Sequence, residues 1–249
     1  MNQRHKQVLS IMSDGRKVTV NDLADQLDVS QATIRQDLTQ LENSGFLRRV
    51  HGGAVLDETD DISHRMGINY EQKLRIARMA AQYVNEGETI YIESGSINAL
   101  FSKEVAKISN TTIITSNAFI ARQIGKESLG NIILLGGLYQ PESECMVGNL
   151  VKICLNALNF SKAFIGIDGF TPETGFTGRD MMRAEINSEI ISRSPQTFIL
   201  TDASKFGRIA LSRYCGAEDI EYLITDQTPA IEYKKALEKA GVKLLIPEL

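Results

Sequence analysis

Seven short apolar runs, spaced from residue 89 to the end of the chain, leave few folds open. They are TIYIE at 89–93, TTIIT at 111–115, NIILL at 131–135, AFIGI at 163–167, TFILT at 197–201, YLIT at 222–225 and VKLLI at 242–246. Each is short for a helix and too continuously apolar to keep one face wet, so each reads as a strand buried on both sides. Amphipathic stretches separate them, and strands linked by helices in this way build a parallel sheet covered on both faces. A helical pattern with Leu74, Ile76, Ala77, Ala80, Ala81 and Val84 precedes the series. An α/β, Rossmann-like domain over 69–249 is therefore expected.

The front of the chain follows another pattern. Residues 1–56 are predicted to form three short helices and a hairpin. The first, about Arg4 to Met12, turns Val8, Leu9 and Met12 inward, and a turn at Asp14-Gly15 leads into the extended run KVTV. Thr19, with Asp22 three residues on, suits an N-cap with an acidic partner for a helix through Leu23, Ala24 and Leu27. Ser30 suits the cap of a third helix, which Ser44-Gly45 ends. The runs FLRRV and AVL then flank His51-Gly52-Gly53 as strand, turn and strand. Two helices joined by a tight turn and followed by a small β wing make a winged helix-turn-helix, whose second helix enters the major groove of DNA.

That helix carries Ile34, Leu38 and Leu41 on one face, with Gln31, Thr33, Arg35, Gln36 and Gln40 on the other. A merely solvated face usually carries more Glu and Lys. Arg35 suits guanine O6 and N7, and Gln31 or Gln36 suits adenine. Ser30 sits at the helix start, and Arg48, Arg49 and His51 flank the wing, where they suit phosphates or the minor groove. The formal net charge of −4 supplies no global attraction to nucleic acid, so contact with double-stranded DNA must be local. One module of this kind buries roughly 600–1,000 Å² of protein surface. Specific binding then implies two half-sites and at least a dimer, with a tetramer equally open.

Between the two parts, DETDDISHR at 57–65 holds four acidic residues in its first five positions. A linker over 57–68 that stays off DNA is expected, the alternative being an acidic loop within one domain. No apolar run reaches the ~18 residues that cross a bilayer, and the start of the chain lacks the core of a secretion signal. A cytoplasmic protein without membrane contact follows. Cys145, Cys154 and Cys215 are odd in number and widely spaced, and His5, His51 and His64 do not pair at ligand spacing. Neither a disulfide framework nor a metal is expected. No cofactor is indicated.

Ligands in open parallel sheets sit beyond the carboxyl ends of the strands. After the first run comes Ser94-Gly95-Ser96 and a helix start, whose free N–H groups suit phosphate. Later ends carry Ser116 and Asn117, Gly136-Gly137, Asp168-Gly169 and DASKFG with Lys205. Singly each is ordinary turn chemistry. Together they fit a phosphorylated sugar or polyol, with N–H groups and Lys205 for phosphate, and Asp168 and Asn117 for hydroxyls.

These residues stand in an ordered set of motifs. TIRQDL and RRVHGGA are followed by ESGS, TSN, LLGG, MVGN, FSKAFIGIDG, GFTGRD, DASKFG and ITD. On that set the chain resembles the DeoR family of bacterial transcriptional regulators over essentially its whole length. The resemblance implies a winged helix joined to a sensor domain with the sheet of ribose-5-phosphate isomerase and glucosamine-6-phosphate deaminase. It also implies repression of carbohydrate-metabolism genes, relieved when a phosphorylated sugar binds. Carried over by motif, the effector site falls on Gly95, Ser96, Ser116, Asn117, Gly136, Asp168, Gly169 and Lys205. Three positions depart from the family pattern. Gln36 stands where a second Arg is common, and Glu93 stands where Asp is common. Arg183 and Asn187, with Arg179 nearby, replace an acidic residue and a Lys. Arg179 and Arg183 either grip a second anionic group on the effector or form ion pairs. An enzyme of the isomerase or deaminase type with a DNA-binding appendage, using Glu93, Asp168 and Lys205 for acid–base chemistry, is the alternative to a regulator.

Overall fold

The computed structural model describes residues 3–12, 17–43, 46–55, 62–126 and 128–248. The expected turn at Asp14-Gly15, the helix stop at Ser44-Gly45 and the acidic residues 57–61 lie outside them. The chain forms two compact units, Met1–Glu71 and Gln72–Leu249.

In the first unit, α1 (Gln3–Ile11), β1 (Val18–Thr19), α2 (Val20–Leu27), α3 (Gln31–Asn43), β2 (Arg48–Val50) and β3 (Gly53–Val55) enclose one core. Leu9, Met12, Leu23, Ile34 and Leu38 are fully buried in it. The cap of α2 is complete. The Thr19 hydroxyl accepts the Asp22 N–H at 3.1 Å, and the Asp22 carboxylate accepts the Thr19 N–H at 3.3 Å. Ser30 accepts the Thr33 N–H at 3.1 Å and starts α3 in the same way. The three strands pair antiparallel in the order β1-β3-β2. A Cβ on Gly53 would lie 2.2 Å from the Val18 carbonyl oxygen, so this pairing requires glycine there. Within the segment expected as a linker, α4 (Ile62–Gly67) forms a short helix with Ile62 and Met66 buried.

The helix α5 (Tyr70–Ala81) buries Leu74, Ile76, Ala77 and Ala80, the expected stripe. Thereafter the chain runs through β4 (Thr89–Ile92), α6 (Ser96–Val105), β5 (Thr112–Thr115), α7 (Ala118–Ile124) and β6 (Asn131–Leu134). A hairpin of β7 (Leu138–Gln140) and β8 (Cys145–Val147) leads to α8 (Asn149–Asn156) and β9 (Lys162–Gly166). A second ribbon, β10 (Gly169–Thr171) and β11 (Gly175–Gly178), leads to α9 (Met181–Arg193) and β12 (Thr197–Leu200). The last elements are β13 (Ser212–Cys215), β14 (Tyr222–Ile224), α10 (Ile231–Lys239) and β15 (Lys243–Leu245).

All seven apolar runs become strands of a single parallel sheet, in the order β15-β14-β12-β9-β4-β5-β6. Both faces are covered, as continuous apolar strands require. On one face Phe164, Phe198 and Tyr222 stand in register on neighbouring strands, with ring centroids 4.8 and 4.4 Å apart. Phe101 of α6 closes on Phe164 at 4.3 Å. On the other face Ala163, Ile165, Ile199 and Leu223 pack with Leu155 of α8, Ile186 and Ile190 of α9, and Leu237 of α10.

From β4 the chain steps outward to β5 and β6, then returns to β9 on the other side of β4 and continues to β12, β14 and β15. Open sheets of this kind take ligands where the strand order reverses, which here is at the carboxyl ends of β4 and β9. Two small antiparallel elements are additions to the expected plan: the β7–β8 hairpin, and the sheet β10-β11-β13. Their strands are short, and those of the second are rich in Gly and Thr, so no apolar run marks them.

Candidate DNA interface and effector site

The helix α3 separates its two faces as its spacing demands. Ile34 and Leu38 are 0% exposed and Leu41 1%, whereas Ser30, Gln31, Arg35 and Gln36 are exposed and Thr33 is half-buried. Gln31, Arg35 and Thr39 succeed one another at one-turn intervals. The Arg35 guanidinium donates to the Gln31 amide oxygen at 3.2 Å, and the Thr39 hydroxyl donates to the Arg35 carbonyl at 2.8 Å. The wing joins this line. Arg49 donates through its guanidinium to Thr39 at 3.0 Å and through its backbone N–H to Glu42 at 2.7 Å. Thr39, which the sequence reading passes over, therefore ties the helix to the wing. Its signal is its spacing, four residues beyond Arg35. Arg48, Arg49 and His51 are exposed.

Asp37 lies on the same helix but faces inward at 3% exposure. Arg4 of α1 grips its carboxylate at 2.5 and 3.0 Å, and His5 approaches at 3.1 Å. Burial alone would raise this carboxyl, but the Arg4 and His5 contacts outweigh burial and hold it below its ordinary value. Arg35 thus has no part in neutralising Asp37 and keeps its guanidinium on the outer face. Arg48→Ala is expected to weaken binding to all DNA alike and to reduce the salt slope by about one, read from binding at several salt concentrations.

In the second unit the expected effector residues gather on the rim of the sheet. Gly95, Ser96, Asp168, Gly169 and Lys205 follow β4, β9 and β12, three adjacent strands. Ser116 and Asn117 follow β5, and Gly136 follows β6. Gly95 has φ +128°, a conformation open to glycine, and caps α6 without a side-chain bond. The first N–H groups of that helix therefore stay available to an anion. Gly169 passes so close to the Arg208 carbonyl that a Cβ would sit 2.3 Å from it. Gly136 is exposed.

Not every expected residue offers its side chain to the rim. Asn117 is 0% exposed and committed to the fold. Its Oδ1 accepts the Ile120 N–H at 2.9 Å, and its Nδ2 donates to the Ser143 carbonyl at 2.8 Å and to Cys145 Sγ at 3.2 Å. The Ser116 hydroxyl pairs with that of Tyr91 at 3.0 Å. Lys205 is half-buried at the end of a 3₁₀ turn, Ala203–Lys205, that Asp202 caps by accepting the Ser204 N–H at 3.0 Å. Burial would raise the Asp202 carboxyl, but the charges of Lys73 and Lys205 and the Ser204 donors hold it below its ordinary value. Lys73, on α5, is 6% exposed.

At the reversal itself sits Glu93, 6% exposed. Its Oε2 accepts the Gly166 N–H at 3.1 Å, and its Oε1 accepts the Ser94 hydroxyl at 2.8 Å. Burial pushes its carboxyl up to about 7, against the opposing pull of the Ser94 hydroxyl, the Arg183 charge, the Gly166 N–H and the Asn187 amide. The folded protein then holds a proton, between the ordinary carboxyl value and about pH 7, that the unfolded chain has released. Stability from this group is full below the ordinary value and is lost as pH rises through about 7. Melting measured from about pH 5 to about pH 8 is expected to show a fall in Tm that Glu93→Gln flattens.

Arg179 and Arg183 are both held by carboxylates. The Asp168 carboxylate accepts the Arg179 N–H at 3.1 Å and lies 3.7 Å from its Nε. Asp180 accepts the Arg183 N–H at 2.8 Å and lies 3.8 Å from its Nε.

A winged helix with a polar reading face, joined to an α/β unit with a lined rim, defines a DNA-binding regulator of transcription. Comparison with known proteins places it further. Residues 4–60 match the family model described as the DeoR-like helix-turn-helix domain, and residues 68–227 match the DeoR C terminal sensor domain. The chain belongs to the DeoR family of transcriptional regulators. It is 31% identical to the HTH-type transcriptional regulator GolR of Listeria innocua, covering 99% of this chain and 98% of that one. It is 27% identical to the HTH-type transcriptional repressor GlcR of Bacillus subtilis, covering 97% and 94%. Among solved structures, ribose 5-phosphate isomerase A of Methanocaldococcus jannaschii aligns with a TM-score of 0.41 at 18% identity, over 55% of each chain. Relatives that span the whole chain are named as regulators, so the protein is a regulator and not an enzyme of the isomerase type.

Proposed function

We propose that this regulator is a cytoplasmic repressor of carbohydrate-metabolism genes, released from its operator by a phosphorylated sugar or polyol bound at the rim of the parallel sheet. The observation that carries the reading is the convergence of Gly95, Asp168 and Lys205 at the carboxyl ends of three adjacent strands, around the reversal in strand order. The α6 N-terminus and Lys205 serve the phosphate, and Glu93 and Asp168 serve hydroxyls. On DNA, Arg35, Gln31 and Gln36 read bases while Arg48, Arg49 and His51 hold the backbone. Two or more copies span two half-sites. The effector favours an arrangement that binds DNA poorly, since equal affinity for both arrangements shifts nothing. The segment at 57–68 or the contact between copies transmits the change.

A melting screen of phosphorylated sugars and polyols tests the ligand half. At least one is expected to raise the Tm of the wild-type protein, and Lys205→Ala is expected to weaken that ligand by about 1.5–3 kcal/mol, the worth of a hydrogen bond to a charged group. Equal shifts in wild type and variant would remove Lys205 from the site.

A further inference from the structure

The buried face of α3 is made of Ile34, Asp37, Leu38 and Leu41, so a carboxylate stands there among aliphatic groups. The Asp37 side chain is 4% exposed, and nitrogens of two neighbouring residues of α1 close on it. Arg4 reaches Oδ2 through Nε at 2.5 Å and Oδ1 through a terminal nitrogen at 3.0 Å. His5 reaches Oδ1 through Nε2 at 3.1 Å. An ionised carboxylate only accepts, so each of these nitrogens donates.

Stability alone does not select such an arrangement. Asp37 gives up its water on entering the core, and an apolar pair of similar volume in its place is often as stable or more so. What the arginine fork supplies is direction. A bidentate guanidinium–carboxylate pair fixes angle as well as distance. The contacts of Ile34, Leu38 and Leu41 are non-directional, and they tolerate a helix that rolls about its axis.

Roll matters on this helix. Asp37 and Arg35 are two positions apart, which places them about 200° apart around the axis. Holding Asp37 inward therefore points Arg35 outward, along the line it shares with Gln31 and Thr39. A roll of about 20° carries a guanidinium lying about 8 Å from the axis through about 3 Å. A bidentate bond to a base edge does not survive that displacement.

We infer that Arg4, Asp37 and His5 are positioning residues for DNA reading, which fix the roll of α3 and so aim Arg35 and its neighbours at the bases. They act through the helix and not by contact with the duplex. They set discrimination between sequences, whereas affinity for DNA in general and the stability of the fold do not depend on them. The inference rests on the reading of α3 as the helix that contacts base edges.

The test replaces the ion pair in the full-length protein with apolar side chains of similar volume, Arg4→Met together with Asp37→Leu. Affinity is measured for a duplex that the wild-type protein enriches from a random pool and for an unrelated duplex of equal length, and Tm is measured alongside. The paired variant is expected to melt cooperatively near the wild-type Tm and to keep its affinity for the unrelated duplex. Its preference for the enriched duplex is expected to fall about tenfold. Arg4→Lys, which keeps the charge and loses the fork, is expected to lose part of that preference. Should the paired variant fail to fold, Arg4→Lys decides in its place. A preference equal to that of wild type in the deciding variant overturns the inference and leaves DNA reading by α3 standing. Equal losses on both duplexes also overturn it, because a smaller folded fraction gives that result. A pool from which the wild-type protein enriches no sequence overturns the reading of α3 itself, and the inference with it.

Discussion

Replacing Phe164 with Ala is expected to lower the stability of the second unit by about 3–5 kcal/mol, the usual cost of deleting a buried aromatic ring. Phe164 is 0% exposed at the centre of β9, between Phe101 of α6 and Phe198 of β12. Its neighbours belong to a regular sheet and cannot collapse into the gap, so the cavity cost adds to the lost transfer energy. The consequence reaches the site, because β9 ends in Gly166 and leads directly to Asp168. Chemical denaturation of the full-length protein reads the loss in the transition of the sheet-bearing unit. A change below about 1 kcal/mol would contradict a packed aromatic column as the support of this rim.

Arg35→Ala is expected to weaken binding to the preferred duplex by about ten- to a hundredfold, while affinity for random DNA stays nearly unchanged. The guanidinium stands on the exposed face of α3, held by Gln31, and its removal takes away the proposed base contact without touching Ile34 or Leu38 in the core. The measurement is competition between a duplex enriched from a random pool by the protein itself and an unrelated duplex of equal length. Equal losses on both would assign Arg35 to the phosphate backbone.

Much of the fold is legible in the residues because several local signals agree. The seven apolar runs, the Thr19–Asp22 box, the Ser30 cap and the Gly-rich turn of the wing each have a physical cause within a few residues. The β7–β8 hairpin and the β10-β11-β13 sheet carry no such signal, since their strands are short and are fixed by contacts distant in sequence. The site divides in the same way. That Gly95, Asp168 and Lys205 share a rim follows from the strands they end. That Asn117 is spent on capping α7, and that Arg179 and Arg183 are matched by Asp168 and Asp180, depends on how loops fold back, which spacing alone does not encode. Thr39 belongs with these, because its importance lies in the wing arginine it holds.

The central claim is that one ligand links the rim of the sheet to the affinity for DNA. Linkage makes this measurable from both sides, because a ligand that weakens DNA binding by some factor must itself be bound more weakly, by the same factor, when DNA is present. The decisive measurement is the affinity of the protein for its enriched duplex, titrated with the phosphorylated sugar or polyol that most raises its Tm. A loss of about 5- to 150-fold, mirrored in the ligand affinity and moved to higher ligand concentration by Lys205→Ala, is the expected result. A ligand that saturates the protein while the duplex stays bound with unchanged affinity would contradict it.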